Sequence, residues 1–407
     1  MRAYALIGLL AALVSFAVSA GVLILSKKYR LAPAIRARDV HITPTPRLGG
    51  IAMFCGVLVA FGIASQLGRF GVTYFALVFA NPGPIWAILG ACLLIVLVGV
   101  ADDLWDLDWM IKLGAQLLAA GLLAWQSVQI VSLPLGNSLL VASPLVNFAL
   151  TVFLIVLVMN AINFIDGLDG LVAGVAIIAN GVFFVYSYLL VQQTSPSNYF
   201  NLSSFIAVVI VGVCVGFLPF NWHRARMFMG DSGALLIGLL MAVSTISVTG
   251  QLNPGILDDR KVLLAAYIPI ILPFAVMLVP LLDFSLAVIR RVRAGKSPFS
   301  ADRKHLHHRL LDMGHSQLQA VLIFYSWTAV IAVGFLLIFV MQSFLTPLIF
   351  MGLGFIVCVV ITLVPLDPRK RTEVDVQAAD IDSAASEVLA SYDPLDEASE
   401  GRIRLND

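Results

Sequence analysis

Four polar side chains recur at every third position in one segment of an otherwise apolar chain. They are Asn160, Asn163, Asp166 and Asp169, and a helical turn would bring neighbouring members onto one face. Carboxylate and amide oxygens suit a hard cation such as Mg²⁺ much better than they suit zinc. Capping of the next helix is the alternative, but capping accounts for only one of the four residues. The segment therefore predicts a site for a cation or a polar substrate.

A second segment, 228–233, reads Phe-Met-Gly-Asp-Ser-Gly and opens an apolar run. The free N–H groups and the positive dipole end at the start of a helix favour an anion such as a phosphate. Asp231 would lie beside that anion, where its carboxylate could hold a metal ion that bridges to the phosphate. The alternative is that Asp231 or Ser232 only caps the helix.

Asp102 and Asp103 form an adjacent pair of carboxylates at the end of another apolar run. Two like charges so close together either share a proton or need a cation nearby. Acids that simply reach the membrane surface are the alternative. Since several other polar clusters accompany this pair on the same side of the membrane, it is a candidate for part of an active site.

A compact basic cluster lies in a long polar loop near the end of the hydrophobic region. His305, His307 and His308 stand beside Arg303, an arrangement suited to contact with phosphate, with metal binding as the alternative. A further cation, Arg47, lies in a Pro- and Gly-rich turn that leads into an apolar run, so it is placed at headgroup level.

These residues are distributed among apolar runs long enough to cross a bilayer. The chain has 407 residues, of which 60% are hydrophobic and 12% charged, and this composition excludes an ordinary soluble enzyme and a nucleic-acid-binding protein. About 20 apolar residues span the hydrocarbon core. The predicted fold is an all-α, polytopic integral membrane protein with about eleven transmembrane helices, near 3–25, 51–67, 85–101, 111–126, 145–159, 168–191, 203–218, 233–249, 262–288, 320–341 and 345–363.

Lys and Arg predict the orientation of these runs. With the N-terminus outside and the C-terminus cytoplasmic, 21 of the 25 basic residues fall in or next to cytoplasmic segments and four fall outside. All the candidate site residues then share the cytoplasmic face. The first run is expected to remain as an anchor, and the stretch 128–142 is expected to form a hairpin that turns at Gly136-Asn137.

The chain divides into a membrane-embedded domain over 1–364 and a tail over 365–407. All four Glu residues lie in this tail, which is acidic and expected to be mostly disordered. The four cysteines each stand inside an apolar run, which predicts free thiols and excludes a disulfide framework.

Five segments together resemble the polyprenyl-phosphate N-acetylhexosamine-1-phosphate transferases. In the family's order they are PTPRLGG at 44–50, ADD at 101–103, NAINFIDGLDGL at 160–171, FMGDSG at 228–233 and SADRKHLHHRLLDMGHS at 300–316. The resemblance covers about 30–363. The loop that reads His-Leu-His-His-Arg-Leu-Leu, together with eleven spans, looks like the branch that transfers N-acetylglucosamine-1-phosphate. The phospho-N-acetylmuramoyl-pentapeptide transferases are the alternative branch.

The resemblance implies a role for each matched residue. It implies that Asp231 is the principal Mg²⁺ ligand with Asn163 near the same ion, and Mn²⁺ is the alternative ion. It also implies that Phe228 stacks on the uracil, which Asp169 hydrogen-bonds. The remaining assignments are Asn160 and Asp166 to the ribose and phosphates, Asp102 and Asp103 to the acceptor phosphate as catalytic residues, His307 and His308 to the diphosphate as catalytic residues, and Arg47, Arg303 and His305 to substrate binding.

The expected reaction is transfer of GlcNAc-1-phosphate from UDP-GlcNAc to a polyprenyl phosphate, with release of UMP. Such an enzyme would work in the bacterial cytoplasmic membrane as a first membrane step of cell-envelope polysaccharide synthesis. Its partners would be the two substrates and the lipid bilayer, without nucleic acid, and a homodimer is one candidate assembly. A nucleotide-sugar transporter is the alternative of a different class, but such transporters place polar sites near the midplane.

Overall fold

The computed structural model describes most of the hydrophobic region. The described residues are 1–29, 45–69, 78–130, 133–135, 138–140, 143–194, 201–249, 310–341 and 343–364, with isolated positions at 289, 292, 293 and 295. The predicted span at 262–288 and the acidic tail at 365–407 lie outside these ranges. That span, and the division into two domains, therefore stay predictions.

Ten helices and one short hairpin make up the described part of the chain. The helices are α1 (Arg2–Tyr29), α2 (Gly49–Arg69), α3 (Pro82–Trp105), α4 (Trp109–Trp125), α5 (Pro144–Ile165), α6 (Leu171–Thr194), α7 (Leu202–Asn221), α8 (Gly230–Thr249), α9 (Gln317–Met341) and α10 (Leu345–Leu363). Among the described residues, nine of these are long and apolar enough to cross a membrane, and α4 is shorter, with 17 residues. The all-α, multi-pass architecture is confirmed.

The predicted hairpin is also present. Strand β1 (Leu133–Leu135) pairs antiparallel with β2 (Ser138–Leu140), and Leu135 lies opposite Ser138. This register leaves two residues, 136 and 137, between the strands, as the Gly-Asn pair predicts.

Helix α8 is at the centre of the described helices. It packs against α2, α3, α5 and α7, and nearly all of its side chains are buried. Small residues allow this close packing, because a Cβ atom at Gly238 would lie only 2.6 Å from the Cα of Met159 on α5. The helix that begins with the polar Gly-Asp-Ser sequence is thus surrounded by other helices.

Helix α1 packs on α7 through a Gly-x-x-x-Gly pair. A Cβ atom at Gly212 would lie 2.3 Å from the carbonyl oxygen of Gly8, and one at Gly216 would lie 2.1 Å from that of Ala12. Neither helix backbone could approach the other so closely if these two glycines carried side chains. Ser15 strengthens the contact, because its hydroxyl donates a hydrogen bond to the carbonyl of Val213 at 2.8 Å.

Exposed tryptophans indicate where the bilayer begins and ends along α3 and α4. Trp86 and Trp105 lie 19 positions apart on α3, which is about 28 Å of helix. That distance is close to the hydrocarbon thickness of about 30 Å. Trp109 and Trp125 are likewise exposed at the two ends of α4. Since tryptophan favours the membrane–water boundary, the turn from α3 to α4 lies at headgroup level.

We expect Gly216→Ala to destabilise the protein more than Gly181→Ala does. The added methyl group at Gly216 meets the backbone of Ala12, whereas nothing lies within 4 Å of a Cβ at Gly181 on α6. Overpacking of this kind costs about 1–3 kcal/mol. The thermal unfolding midpoints of the two variants in detergent would test this, and equal midpoints would contradict the described α1–α7 contact.

Candidate active site

Several helix ends meet at one end of the bundle and carry the polar segments found in the sequence. Helices α2, α4 and α8 begin there, whereas α3 and α5 end there. The alternating direction of membrane-crossing helices brings these termini to the same side. The structure therefore places residues from distant parts of the sequence beside one another, as the predicted topology requires.

The N-terminus of α8 is held by a carboxylate from another helix. Asp103, which is 5% exposed on α3, accepts hydrogen bonds from the N–H groups of Asp231 at 3.0 Å and Ser232 at 3.3 Å. It also accepts one from the Ser232 hydroxyl at 3.0 Å. The sequence predicts free N–H groups at this terminus, whereas the N–H groups of Asp231 and Ser232 are both occupied by Asp103. The anion that the helix attracts is the chain's own Asp103.

Glycines allow the three elements around Ser232 to approach closely. A Cβ at Gly50 on α2 would lie 2.4 Å from the Ser232 hydroxyl oxygen, and one at Gly99 on α3 would lie 2.4 Å from its Cα. Gly230 has a φ of +72°, and a Cβ there would lie 2.4 Å from an Asp103 carboxylate oxygen. The Gly-Asp-Ser-Gly sequence thus meets a geometric demand of the site.

The Pro- and Gly-rich turn before α2 pairs with the segment before α8 through backbone hydrogen bonds. Phe228 donates to the carbonyl of Pro46 at 2.9 Å, and Gly49 donates to the carbonyl of Phe228 at 3.1 Å. These bonds place the backbone of Arg47 next to Gly230. The structure thus brings two of the sequence motifs, at 44–50 and 228–233, into direct contact.

A chain of charged and amide groups connects the acids of α3 and α8. The ammonium group of Lys112, on α4, lies 3.1 Å from Asp102 Oδ2 and 3.3 Å from Asp231 Oδ2. Asn163, on α5, donates a hydrogen bond from Nδ2 to Asp231 Oδ1 at 3.0 Å. Asp102 is buried, and its Oδ1 also accepts the N–H of Leu107 at 2.8 Å. Asp231 is 28% exposed, so it is open to a ligand.

Sequence reasoning missed Lys112 as a site residue. The available signal was a single base in the first turn of an otherwise apolar helix, directly after the Asp102-Asp103 pair. Lys112 lies one turn beyond Trp109, and Asp102 lies one turn before Trp105. The charged chain therefore lies within one helical turn of the headgroup level that the tryptophans mark.

The four residues of the 160–169 segment have different surroundings. Asn160 donates to the side chain of Gln116 on α4 at 2.6 Å and to the carbonyl of Val156 at 2.8 Å. Asp166 follows α5 and is half-buried. Burial and the negative charges of Asp231 and Asp103 raise its pKa to about 8, against the opposing effect of Arg47. The carboxyl groups of Asp103, Asp166 and Asp231 thus lie near one another at this end of the bundle.

The end of this segment is joined to the loop between α7 and α8. Asp169 is buried, and its Oδ2 accepts a hydrogen bond from the N–H of Ala225 at 3.0 Å. Asn221 accepts from the N–H of Gly170 at 3.0 Å and donates to the carbonyl of Met227 at 3.1 Å. Asn221 is a second residue that sequence reasoning missed, since nothing in its local sequence marks it.

Two of the remaining predicted residues are described, and four are not. Phe228 and Arg47 are both half-buried beside the start of α8. Arg303, His305, His307 and His308 lie outside the described residues, so the structure says nothing of their positions.

The donor set around Asp231 fits a hard divalent cation with few protein ligands. Within the described ranges, no group of three or more His, Cys, Asp or Glu side chains could hold a metal ion. Asp231 and the neighbouring amide of Asn163 would supply one or two oxygen ligands, because the amide can present Oδ1 in its other orientation. Mg²⁺ is commonly held by one or two such groups and by substrate phosphates and water.

The fold and the site together define a polytopic membrane protein with a carboxylate-rich cluster at the headgroup level. Comparison with known proteins identifies the family to which this membrane protein belongs. Residues 85–249 match the model of glycosyl transferase family 4. The chain is similar to decaprenyl-phosphate N-acetylglucosaminephosphotransferase of Mycolicibacterium smegmatis, with 39% identity over 369 residues, which is 90% of this chain and 89% of the relative.

Two further relatives are also named as transferases that act on a polyprenyl phosphate. The Mycobacterium leprae decaprenyl-phosphate N-acetylglucosaminephosphotransferase is 39% identical over 82% of this chain and 83% of its own length. Undecaprenyl-phosphate alpha-N-acetylglucosaminyl 1-phosphate transferase of Escherichia coli is 26% identical over 72% of this chain and 73% of its own length. The chain belongs to glycosyl transferase family 4, in the branch of the polyprenyl-phosphate N-acetylglucosaminephosphotransferases. This class of transferases generally needs a divalent metal.

We expect Asp103→Asn to destabilise the folded protein. The amide keeps one acceptor oxygen but brings an NH₂ group against the N–H donors of α8, which leaves a buried donor without a partner at a cost of about 1–3 kcal/mol. Thermal unfolding in detergent would measure this cost.

Asp106→Asn is the matched control for this prediction. Asp106 is exposed and has a φ of +54°, a conformation that asparagine adopts readily. If both variants unfold at the wild-type temperature, Asp103 does not stabilise α8 as described.

Proposed function

We propose that the chain transfers GlcNAc-1-phosphate from UDP-GlcNAc to a polyprenyl phosphate and releases UMP, on the cytoplasmic face of a bacterial membrane. The observation that supports this most strongly is the position of the Asp102–Lys112–Asp231 chain at headgroup level. A lipid phosphate and a water-soluble nucleotide sugar can meet only at such a boundary. The names of the relatives favour GlcNAc as the sugar.

The cation of this proposal is Mg²⁺, with Mn²⁺ as the alternative, and Asp231 and Asn163 would hold it. When bound, it would supply Lewis-acid stabilisation of the negative charge that gathers on the diphosphate. Asp231 suits this role because it is partly exposed while its Oδ1 lies against the Asn163 amide. The Asp103 bonds to the first turn of α8 keep the Asp231 backbone in place.

The bond changes of the proposed reaction balance without a dedicated base. An oxygen of the lipid phosphate attacks the β-phosphorus of UDP-GlcNAc, and the bond from that phosphorus to the bridging oxygen breaks. UMP leaves with the electron pair. A phosphate monoester is largely dianionic at pH 7, since its second pKa is about 6, so it can attack as it is. Asp102 then orients the acceptor, together with Lys112.

Lys112 gives the proposed site a positive charge between its two halves. Its ammonium group contacts Asp102, which we assign to the acceptor, and Asp231, which we assign to the cation and the donor diphosphate. Without this charge, the two carboxylates would repel each other and the incoming phosphate groups. Lys112 therefore assists the approach of two anionic substrates.

The donor nucleotide is assigned to the two joined loops. Asp169 and Phe228 are proposed to bind the uracil, and Asn160 and Asp166 the ribose and phosphates. Both loops lie beside the start of α8, and the bond from Ala225 to Asp169 joins them. The basic residues Arg47, Arg303, His305, His307 and His308 are proposed to contact the phosphate groups, with His307 and His308 nearest the diphosphate.

We expect Asp231→Asn to abolish transfer, because a neutral amide binds a hard cation far more weakly than a carboxylate. Detergent-solubilised protein would be incubated with Mg²⁺, polyprenyl phosphate and UDP-GlcNAc labelled in the sugar and in the β-phosphate. In the wild type both labels enter the lipid phase and UMP is released. Asp106→Asn, which changes an exposed acid outside the cluster, is expected to retain wild-type activity.

The other outcomes of this assay separate the alternatives. Sugar label without phosphate label in the lipid would contradict sugar-1-phosphate transfer. Turnover only with the UDP-muramoyl-pentapeptide donor would assign the protein to the other branch. Uptake of labelled UDP-sugar into sealed vesicles without any lipid product would identify a transporter instead.

We also expect Lys112→Met to lower the turnover rate by about 10- to 100-fold. A loss of this size corresponds to the removal of one or two hydrogen-bonded contacts between charged groups. Lys112→Arg keeps the positive charge and should retain more activity than Lys112→Met. Initial rates at saturating substrate would test both variants. A Lys112→Met enzyme that works at the wild-type rate would remove Lys112 from the mechanism.

A further inference from the structure

Tyr325 joins the donor loop to a helix that lies beyond the matched family segment. It stands on α9, and its hydroxyl donates a hydrogen bond to the carbonyl of Gly170 at 2.5 Å. Gly170 also donates from its N–H group to Asn221 on α7 at 3.0 Å. The backbone on both sides of Gly170 is therefore held by side chains from two other helices.

The space around this contact is shaped to admit the tyrosine ring. Gly174 lies one turn after Gly170, and a Cβ there would be 2.0 Å from the Tyr325 hydroxyl oxygen. Gly170 itself has a φ of +75°, a conformation that favours glycine. Two glycines on neighbouring turns thus provide the bare backbone against which Tyr325 lies.

The residue before Gly170 is Asp169, to which the proposed function assigns the uracil. Asp169 Oδ2 accepts a hydrogen bond from the N–H of Ala225. Whether the carboxylate can keep this bond depends on the direction in which the Asp169 backbone presents it. A rotation of the peptide that follows Asp169 would move this carboxylate relative to the 222–229 loop. Tyr325 restrains the backbone at Gly170, immediately after that peptide.

We propose that Tyr325 is a positioning residue for the donor nucleotide, acting through Gly170 on Asp169. This inference rests on the proposed function, and it adds a role for α9 in binding the donor nucleotide. A phenylalanine would fill the same space, so what the hydroxyl contributes is the bond to Gly170. Since Tyr325 acts through the loop, its effect falls on the nucleotide and spares the lipid acceptor.

The experiment compares Tyr325→Phe with Tyr188→Phe. Tyr188 is also on the described bundle, but it is near the opposite end of α6, where its ring packs against Tyr4 and Phe184. We expect Tyr325→Phe to raise the KM for UDP-GlcNAc about 5- to 10-fold, with the KM for polyprenyl phosphate and kcat changed less than about twofold. Tyr188→Phe should leave all three unchanged.

Binding of UMP provides a readout that does not depend on turnover. Titration calorimetry with UMP and Mg²⁺ in detergent should show affinity weakened by the same factor in Tyr325→Phe and unchanged in Tyr188→Phe. Gly174→Ala should have a similar effect in the wild type, because the methyl group displaces the tyrosine ring. In the Tyr325→Phe background its added effect on UMP affinity should be much smaller.

Several results would overturn the proposal. Among them are equal rises of both KM values, UMP affinity unchanged in Tyr325→Phe, and effects of Tyr325→Phe and Gly174→Ala that simply multiply. A Tyr325→Phe protein with a lowered unfolding temperature and losses for both substrates would show a structural role and would also refute it. Failure of the wild type to use UDP-GlcNAc would refute the proposed function itself, and is therefore distinguishable.

Discussion

The structure of the polar end depends on the contact between the Asp103 carboxylate and the start of α8. Helix α8 is surrounded by other helices, so its first N–H groups cannot be satisfied by bulk water. Asp103 satisfies two of them and also binds the Ser232 hydroxyl. A buried negative charge and a buried positive dipole end thereby stabilise each other. The same contact sets the distance between α3 and α8, which carry the two acids that Lys112 joins.

The acids of the site differ in their exposure and in the groups that they contact. Asp103 is nearly inaccessible and is used by the backbone of α8, whereas Asp231, which follows Gly230 in the same turn, is partly exposed. Asp102 is as buried as Asp103, but its carboxylate contacts the partly exposed Lys112. An adjacent pair such as Asp102-Asp103 therefore does two different things, one for the fold and one for the charge balance of the site. Neighbouring residues on a helix project in different directions, and this gives Asp102 and Asp103 different partners.

The donor side is built differently, from loops that other elements hold in place. Gly170 is restrained by Asn221 and Tyr325, and the 44–50 turn pairs through its backbone with the segment before α8. Loops at a membrane surface would otherwise be free to move, because water satisfies their backbone groups. Hydrogen bonds from α7 and α9 hold the backbone of the donor loop at Gly170 in one conformation.

The sequence alone determined the architecture and most of the candidate residues. Long apolar runs must become membrane helices, because the bilayer offers no partner for backbone groups, and the short hairpin follows from its turn residues. Polar residues are costly in such a chain, so Asn163, Asp166 and Asp231 were conspicuous. The tertiary structure alone decided which groups touch. It gave the α8 terminus to Asp103, brought Lys112 between two acids, and selected Asn221 and Tyr325, since such contacts join residues far apart in the chain and leave no periodic trace in it.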